Sequence, residues 1–206
     1  MKIKIIFWDF DGVIISSLKI REMGFRAALK NYPKNQIESL IKYHKKNSGW
    51  SRYVKFEYFF KQIRKEKFSK NDILRLAKSY SNSVKSDLID KSLLIGDSMN
   101  FIKEKYQKYI MYIVSGSDGK ELNEVCKGLE ISDYFHSIHG SPEPKKDILK
   151  RILKQFNYDP SNCLMIGDAR NDYDAAIENR IPFLGFNSPK VEKLSNVRFN
   201  LSKLWK

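Results

Sequence analysis

The chain has 206 residues, 42% of them hydrophobic and 13% aromatic, with a formal net charge of +14. That is enough apolar material for a packed core; it excludes a disordered chain, and the length suits one domain with an insertion or two small domains. Lys and Arg are scattered over most segments and form no basic block with interleaved aromatics, so the charge reads first as a solvated surface, second as steering of anionic small molecules, and nucleic-acid binding ranks last.

The first element is Ile5-Ile6-Phe7-Trp8-Asp9-Phe10-Asp11-Gly12-Val13. This short apolar run ends in two carboxylates one residue apart. It reads as a buried strand opening into a loop at Gly12. Strand residues alternate in direction, so Asp9 and Asp11 leave on one side and Phe10 points away. Two buried carboxylates repel and lose hydration, and a hard divalent cation such as Mg2+ removes that cost. The run lacks a signal-peptide cleavage site, and no segment is long and apolar enough to span a bilayer, so a cytoplasmic protein is expected. Cys126 and Cys163 lie far apart in apolar stretches and are expected as buried thiols.

From Leu18 to about Ser86 the pattern is helical. One helix is expected around Ile20 to Lys30. Ile37, Leu40, Ile41 and His44 keep the spacing of one helix face, as do Phe56, Phe59, Phe60 and Ile63, and then Ile73, Leu76, Ala77 and Tyr80. Asn47-Ser48-Gly49 reads as the loop between the second and third of these helices. Residues 17–86 are therefore expected to form an inserted helical unit, with 1–16 and 87–206 forming the main domain.

Beyond residue 86 strands and helices alternate. A helix capped by Asp97 or Ser98 leads into a strand from Tyr109 to Val114 that ends at Ser115-Gly116-Ser117. Leu122, Val125, Cys126 and Leu129 mark a helix, and a short strand at Ser137 to His139 follows. Next come a helix with Leu149, Ile152, Leu153 and Phe156 in register, a strand at Cys163 to Ile166 ending in Gly167-Asp168, and a last strand at Pro182 to Phe186. The alternation predicts an α/β fold, a doubly wound parallel sheet covered on both faces, with ligands collecting at the C-terminal strand ends. Every polar cluster of interest falls at such an end. Asp9 and Asp11 follow the first strand, Ser115 and Gly116 the second, Lys145 the third, and Asp168 and Asp172 the fourth. Singly, each has an ordinary explanation: Ser115 as a helix cap, Lys145 as one lysine of many, Asp172 as a helix N-terminal charge. Four such sites in one order point to a built centre.

In this order the motifs resemble those of the haloacid dehalogenase superfamily over almost the whole chain. Asp9-Phe10-Asp11-Gly12-Val13 is similar to the first motif, Ser115-Gly116 to the second, Lys145 to the third, and Gly167-Asp168-Ala169-Arg170-Asn171-Asp172 to the fourth. The insertion resembles the family's helical cap. Lys146 competes for the third motif, but Gly140-Ser141-Pro142-Glu143-Pro144-Lys145 has the better spacing. Ser16 stands where many relatives carry Asp.

The resemblance implies a Mg2+-dependent phosphatase with Asp9 as nucleophile and Asp11 as general acid and base. Ser115, the Gly116 N–H and Lys145 would hold the phosphate, while Asp9, Asp168, the Asp11 carbonyl and Asp172 would hold the metal. Asp11 argues against dehalogenation, which needs no leaving-group acid. Asn47-Ser48-Gly49-Trp50-Ser51-Arg52 resembles the cap specificity loop of β-phosphoglucomutase-type mutases, which makes Trp50, Ser51 and Arg52 candidate specificity residues. Those mutases carry a His where this chain has Arg21, so phosphatase ranks first, mutase second, and a non-catalytic nucleic-acid or protein-binding module third. A cap that closes over the site favours a small soluble phosphomonoester, with sugar, polyol or amino-alcohol phosphates of surface-carbohydrate assembly as candidates. His44, His136 and His139 are expected at helix-face and strand positions without catalytic roles. Oligomeric state is not legible in the sequence.

Overall fold

A computed structural model describes residues 3–197. Strands β1 (Ile5–Trp8), β2 (Ile110–Asp118), β3 (Ser137–Ser141), β4 (Cys163–Gly167) and β5 (Phe183–Gly185) form one sheet in the order β3-β2-β1-β4-β5, with every pair parallel. The central strands β1 and β4 are apolar on both faces because both are covered. Ile6, Trp8, Met111, Ile113, Leu164 and Ile166 pack on one side. Ile5, Phe7, Tyr112, Val114, Cys163 and Met165 pack on the other. This alternation matches the two-residue period of a strand, and parallel sheets need such double cover. The chain reverses its winding direction beside β1, so the ends of β1 and β4 flank the crevice where α/β sheets place ligands.

Helices α1 (Leu18–Ala28), α2 (Lys34–Lys46), α3 (Arg52–Tyr58) and α4 (Lys70–Val84) form the cap inserted between β1 and β2. Phe25 centres it, with ring centroids 4.8 Å from His44, 5.4 Å from Phe56 and 4.7 Å from Tyr80. The third helical stretch does not continue as one α-helix, as its spacing suggested. It widens into a π-helical turn at Phe59–Arg64. Phe59 and Phe60 are adjacent yet both buried, Phe59 against Tyr32 and Phe60 against Phe68. The i→i+5 winding lets two successive rings face inward.

Helices α5 (Gly96–Lys105), α6 (Gly119–Gly128), α7 (Lys145–Gln155), α8 (Arg170–Glu178) and α9 (Pro189–Glu192) complete the described fold. Two local expectations fail. Helix α5 has Ile95 at its N-cap and no side-chain cap. The Ser98 hydroxyl instead donates to the Val13 carbonyl at 2.5 Å, fastening the loop after β1. Strand β2 does not stop at Ser115 but continues to Asp118, which pairs with Ser141 and caps α6 through Glu121 N–H at 3.0 Å. Cys126 and Cys163 are buried free thiols. Among the described residues no helix is long and apolar enough to cross a membrane.

Candidate active site

Asp9 extends β1 by one residue, its N–H donating to the Ile166 carbonyl of β4 at 2.9 Å. Its carboxylate is 2% exposed and accepts the Phe10 N–H at 2.7 Å. Lys145, at the start of α7, reaches Asp9 at 2.7 Å and also pairs with Asp172, which is fully buried at the start of α8. Asp172 accepts the Ala169 N–H at 3.0 Å, so the aspartate serves the helix N-terminus and the cluster together. Asp168 stands at the end of β4. Gly12 has φ +80, and a Cβ there would overlap the Asp168 carboxylate, so this turn accepts only glycine.

Asp9, Asp168 and Asp172 can bring carboxylate oxygens within 4.8 Å of one another. Burial and the charges of Asp172 and Asp168 hold the Asp9 carboxyl well above the usual range, although Lys145 opposes them. Burial and Asp172 push Asp168 up to about 7. Three oxygen donors that resist sharing negative charge make a site suited to a hard divalent cation.

Asp11 has different surroundings. Burial opposes its ionisation, yet Arg21 and the hydroxyls of Ser117 and Ser17 bring it down to about 2. Arg21 Nε donates to it at 2.8 Å, Ser117 Oγ donates at 2.6 Å, and Ser17 Oγ donates as well. Ser115 is buried on the same strand end, its Oγ accepting the Ser117 N–H at 3.1 Å.

The cap is closed on this centre. Gly49 presses its carbonyl against Gly116 so closely that a Cβ on Gly116 would overlap it, and the same carbonyl accepts from Asn171 Nδ2 at 2.8 Å. Tyr53 donates to Asp118 at 2.6 Å. Glu121 of α6 is 3% exposed and takes Arg21 at 2.6 Å and both arms of Arg52 at 2.6 and 2.8 Å. The enclosed cleft is lined by Asp9, Asp11, Arg21, Lys55, Ser115 and Asp168, among others.

The sequence-derived candidates Asp9, Asp11, Ser115, Gly116 and Asp168 therefore meet around one cleft, with Lys145 and Asp172 directly behind Asp9. The cap candidates divide. Ser51 caps α3 by accepting the Val54 N–H at 3.4 Å, and Trp50 is 45% exposed at the rim. Arg52 lines the cleft, but its guanidinium is committed to Glu121 and Ser81 and lies 4.3 Å from the Tyr80 ring centroid. Sequence reasoning missed Ser117, Glu121 and Lys55, and it met Arg21 only as the residue standing where a mutase has His. One signal was present for Lys55: it precedes Phe59 by four and so falls on the buried stripe of its helix.

Glu121→Ala would leave the buried Arg52 guanidinium without a carboxylate, keeping only Ser81, while Arg21 would keep Asp11. Losing one partner of a buried ion pair costs about 3–5 kcal/mol, which corresponds to a fall in Tm of roughly 10 °C for a chain of this size. Calorimetry on the variant measures it. A fall below about 2 °C would mean that the cap lifts and hydrates Arg52.

A family model described as haloacid dehalogenase-like hydrolase matches residues 3–179. The chain belongs to that family. It is 23% identical over 184 residues to glyceraldehyde 3-phosphate phosphatase of Pyrococcus furiosus, covering 81% of this chain and 73% of the relative. Among solved structures it is similar to β-phosphoglucomutase of Clostridium difficile, with TM-score 0.76, 23% identity and coverage of 99% and 93%. A predicted phosphatase of Clostridium acetobutylicum gives TM-score 0.76 at 15% identity, covering 99% and 97%. These likenesses match the parallel five-stranded core with its helical cap.

Proposed function

We propose that this hydrolase is a Mg2+-dependent phosphatase that cleaves a small phosphomonoester through a phosphorylated Asp9. The observation that carries the reading is the single cleft in which Asp9, braced by Lys145, faces Asp168 beneath a closed cap. The similarity to a glyceraldehyde 3-phosphate phosphatase supports a short substrate.

Each residue then has a task. Asp9 attacks phosphorus in line with the leaving oxygen, and its carboxylate becomes the acyl group of the intermediate. Ser115 and the Gly116 N–H receive phosphoryl oxygens, and Lys145 offsets the charge of Asp9 and phosphate together. Asp11 protonates the leaving alcohol and then takes a proton from the attacking water. In the closed cap Arg21 holds Asp11 as a carboxylate, so the acid step requires that contact to be displaced and Asp11 to take up a proton from solvent before the alcohol leaves. Asp9, Asp168, Asp172 and the Asp11 carbonyl would hold Mg2+. The ion when bound would neutralise charge on the phosphoryl oxygens. Arg52, through Glu121, fastens the cap, while Trp50 and Ser51 shape its tip. Free buried thiols suit a reducing cytoplasm.

The second reading is a sugar phosphomutase, favoured by the loop from Asn47 to Arg52; the family model's description as a hydrolase favours the first. Released inorganic phosphate from a panel of sugar, polyol, amino-alcohol and short-chain phosphates tests the proposal, with sugar-phosphate isomerisation measured in parallel. Turnover to phosphate supports the phosphatase; isomerisation without phosphate release supports the mutase. In the same assay Asp11→Asn should slow ester cleavage by about 100-fold or more, as expected for a lost general acid.

A further inference from the structure

The residues that line the cleft fix the direction of every cap helix. Leu18 and Arg21 lie in the first turn of α1, His44 in the last turn of α2, Arg52 and Lys55 at the start of α3, and Tyr80 toward the end of α4. The turn between α1 and α2 and the segment between the π-helical turn and α4 therefore lie at the opposite end of the cap, about 20 Å from the cleft for helices of this length. The two segments touch. Arg64 stands over the Tyr32 ring at 5.1 Å and donates to Gln36 at 2.8 Å, while Phe68 stacks on Phe60 with centroids 5.4 Å apart.

This far end carries Lys30, Lys34, Lys65, Lys67 and Lys70, all exposed. Among the described residues none of them forms an ion pair, because the nearby carboxylates are taken. Glu66 holds Arg64, Glu57 holds Lys61, Glu38 holds Arg26, and Asp72 holds the Ser69 cap and Arg75. Along the chain these lysines fall in two separate stretches, and the fold gathers them. Their placement is unfavourable in the free protein. Helix α2 starts at Lys34 behind Pro33, with no side-chain cap and no acidic residue in its first turn, so lysine faces the positive end of the helix dipole. Lys70 opens α4 on the same end. Like charges crowded at two helix N-termini repel, and an external anionic surface removes that cost.

We propose that the far end of the cap seats on an anionic membrane surface. Clusters of this size are the ones that hold proteins to acidic lipid headgroups. The free cations are all lysines, point charges that need no directed pairing, whereas Arg64, the one fork suited to nucleic-acid phosphates, is spent on Glu66. No ring is free to stack on a base, since Tyr32 packs on Phe59 and Phe68 on Phe60. The lysines stand at loop and helix ends that point away from the core, an arrangement that a flat surface meets at once. The attachment is peripheral and salt-sensitive. The catalytic cleft, at the other end of the cap, stays open to water, so this inference stands apart from the choice of reaction.

Flotation tests it, with vesicles of phosphatidylcholine alone and with about one-third phosphatidylglycerol, at about 50 and 500 mM salt. The native chain should bind only the anionic vesicles and leave them at the higher salt. A variant combining Lys30→Gln, Lys34→Gln, Lys65→Gln, Lys67→Gln and Lys70→Gln should lose about 100-fold or more in partition, since each lysine at such a surface contributes roughly five-fold. A second variant removes the same charge from exposed positions of α5, α6 and α7: Lys103→Gln, Lys120→Gln, Lys127→Gln, Lys150→Gln and Lys154→Gln. It should lose less than about five-fold. Melting temperature should be equal or higher in the first variant, because like charges leave two helix N-termini. Lys65→Gln with Lys67→Gln, in the loop before α4, should lose about 20-fold alone, so the result does not hinge on the folding of the larger variant. Equal losses in the two five-lysine variants would reduce the effect to net charge and overturn the proposal, as would failure of the native chain to bind anionic vesicles. A single-stranded oligonucleotide held more tightly than vesicles at equal phosphate concentration, and released by the same cap substitutions, would assign the surface to nucleic acid instead.

Discussion

Asp9→Asn should abolish turnover, a loss of roughly 10⁴-fold or more, as for other nucleophiles removed from an assembled site. An amide cannot form the acyl phosphate, and it keeps the shape of the carboxylate. The fold should survive. Asp9 is buried between like charges from Asp168 and Asp172 that raise its pKa, so a neutral side chain relieves repulsion while forfeiting the 2.7 Å contact with Lys145. Phosphate release and Tm measured together decide the matter. A folded Asp9→Asn protein with native turnover would remove Asp9 from the chemistry.

Chelation should take activity to background, Mg2+ should restore it, and Ca2+ should inhibit. Mg2+ favours a compact octahedron and would leave one Asp9 oxygen free for attack. Ca2+ accepts looser, often bidentate carboxylates that would occupy that oxygen. A readout without turnover is available because the carboxylate cluster repels itself when empty of cation. Mg2+ at 100 times its Kd should add about 2.7 kcal/mol, a rise in Tm of roughly 5–10 °C for a chain of this length. Asp168→Asn should reduce that rise. Full activity in excess chelator would exclude the metal from the reaction, and equal rates with both ions would overturn the size argument for Ca2+ inhibition.

The sheet was legible because its strands are short apolar runs that end in turn residues. Ile5–Trp8 and Cys163–Gly167 are buried on both faces, and their apolar runs, alternating with helical segments, read as parallel strands. The residues at the strand ends were legible for a related reason: carboxylates directly after apolar runs are costly unless they work together. Boundaries were less legible where a tertiary contact overrode a local signal. Ser115-Gly116-Ser117 has the composition of a turn, yet β2 runs through it because Asp118 pairs with Ser141. Ser98 has the composition of a cap, but Val13 takes its hydroxyl.

The cap–core contacts were hidden because their partners are far apart in sequence. Arg52 and Glu121 are separated by 69 residues and Arg21 and Glu121 by 100, and nothing local to any of them marks the pairing. Arg52 is a candidate specificity residue by sequence, whereas in the structure its donors go to Glu121 and Ser81. Gly49 was read as a turn former, and the crowding of Asn171 and Ala169 is the stronger demand at that position.

The central claim is that phosphoryl transfer passes through Asp9 in two in-line displacements, and the stereochemistry at phosphorus tests it most directly. Each in-line displacement inverts the phosphorus centre. A substrate ester made chiral with sulfur and oxygen isotopes, hydrolysed in water of the third isotope, should give phosphorothioate with net retention of configuration. Net inversion would mean that water attacks phosphorus directly, and it would contradict the account.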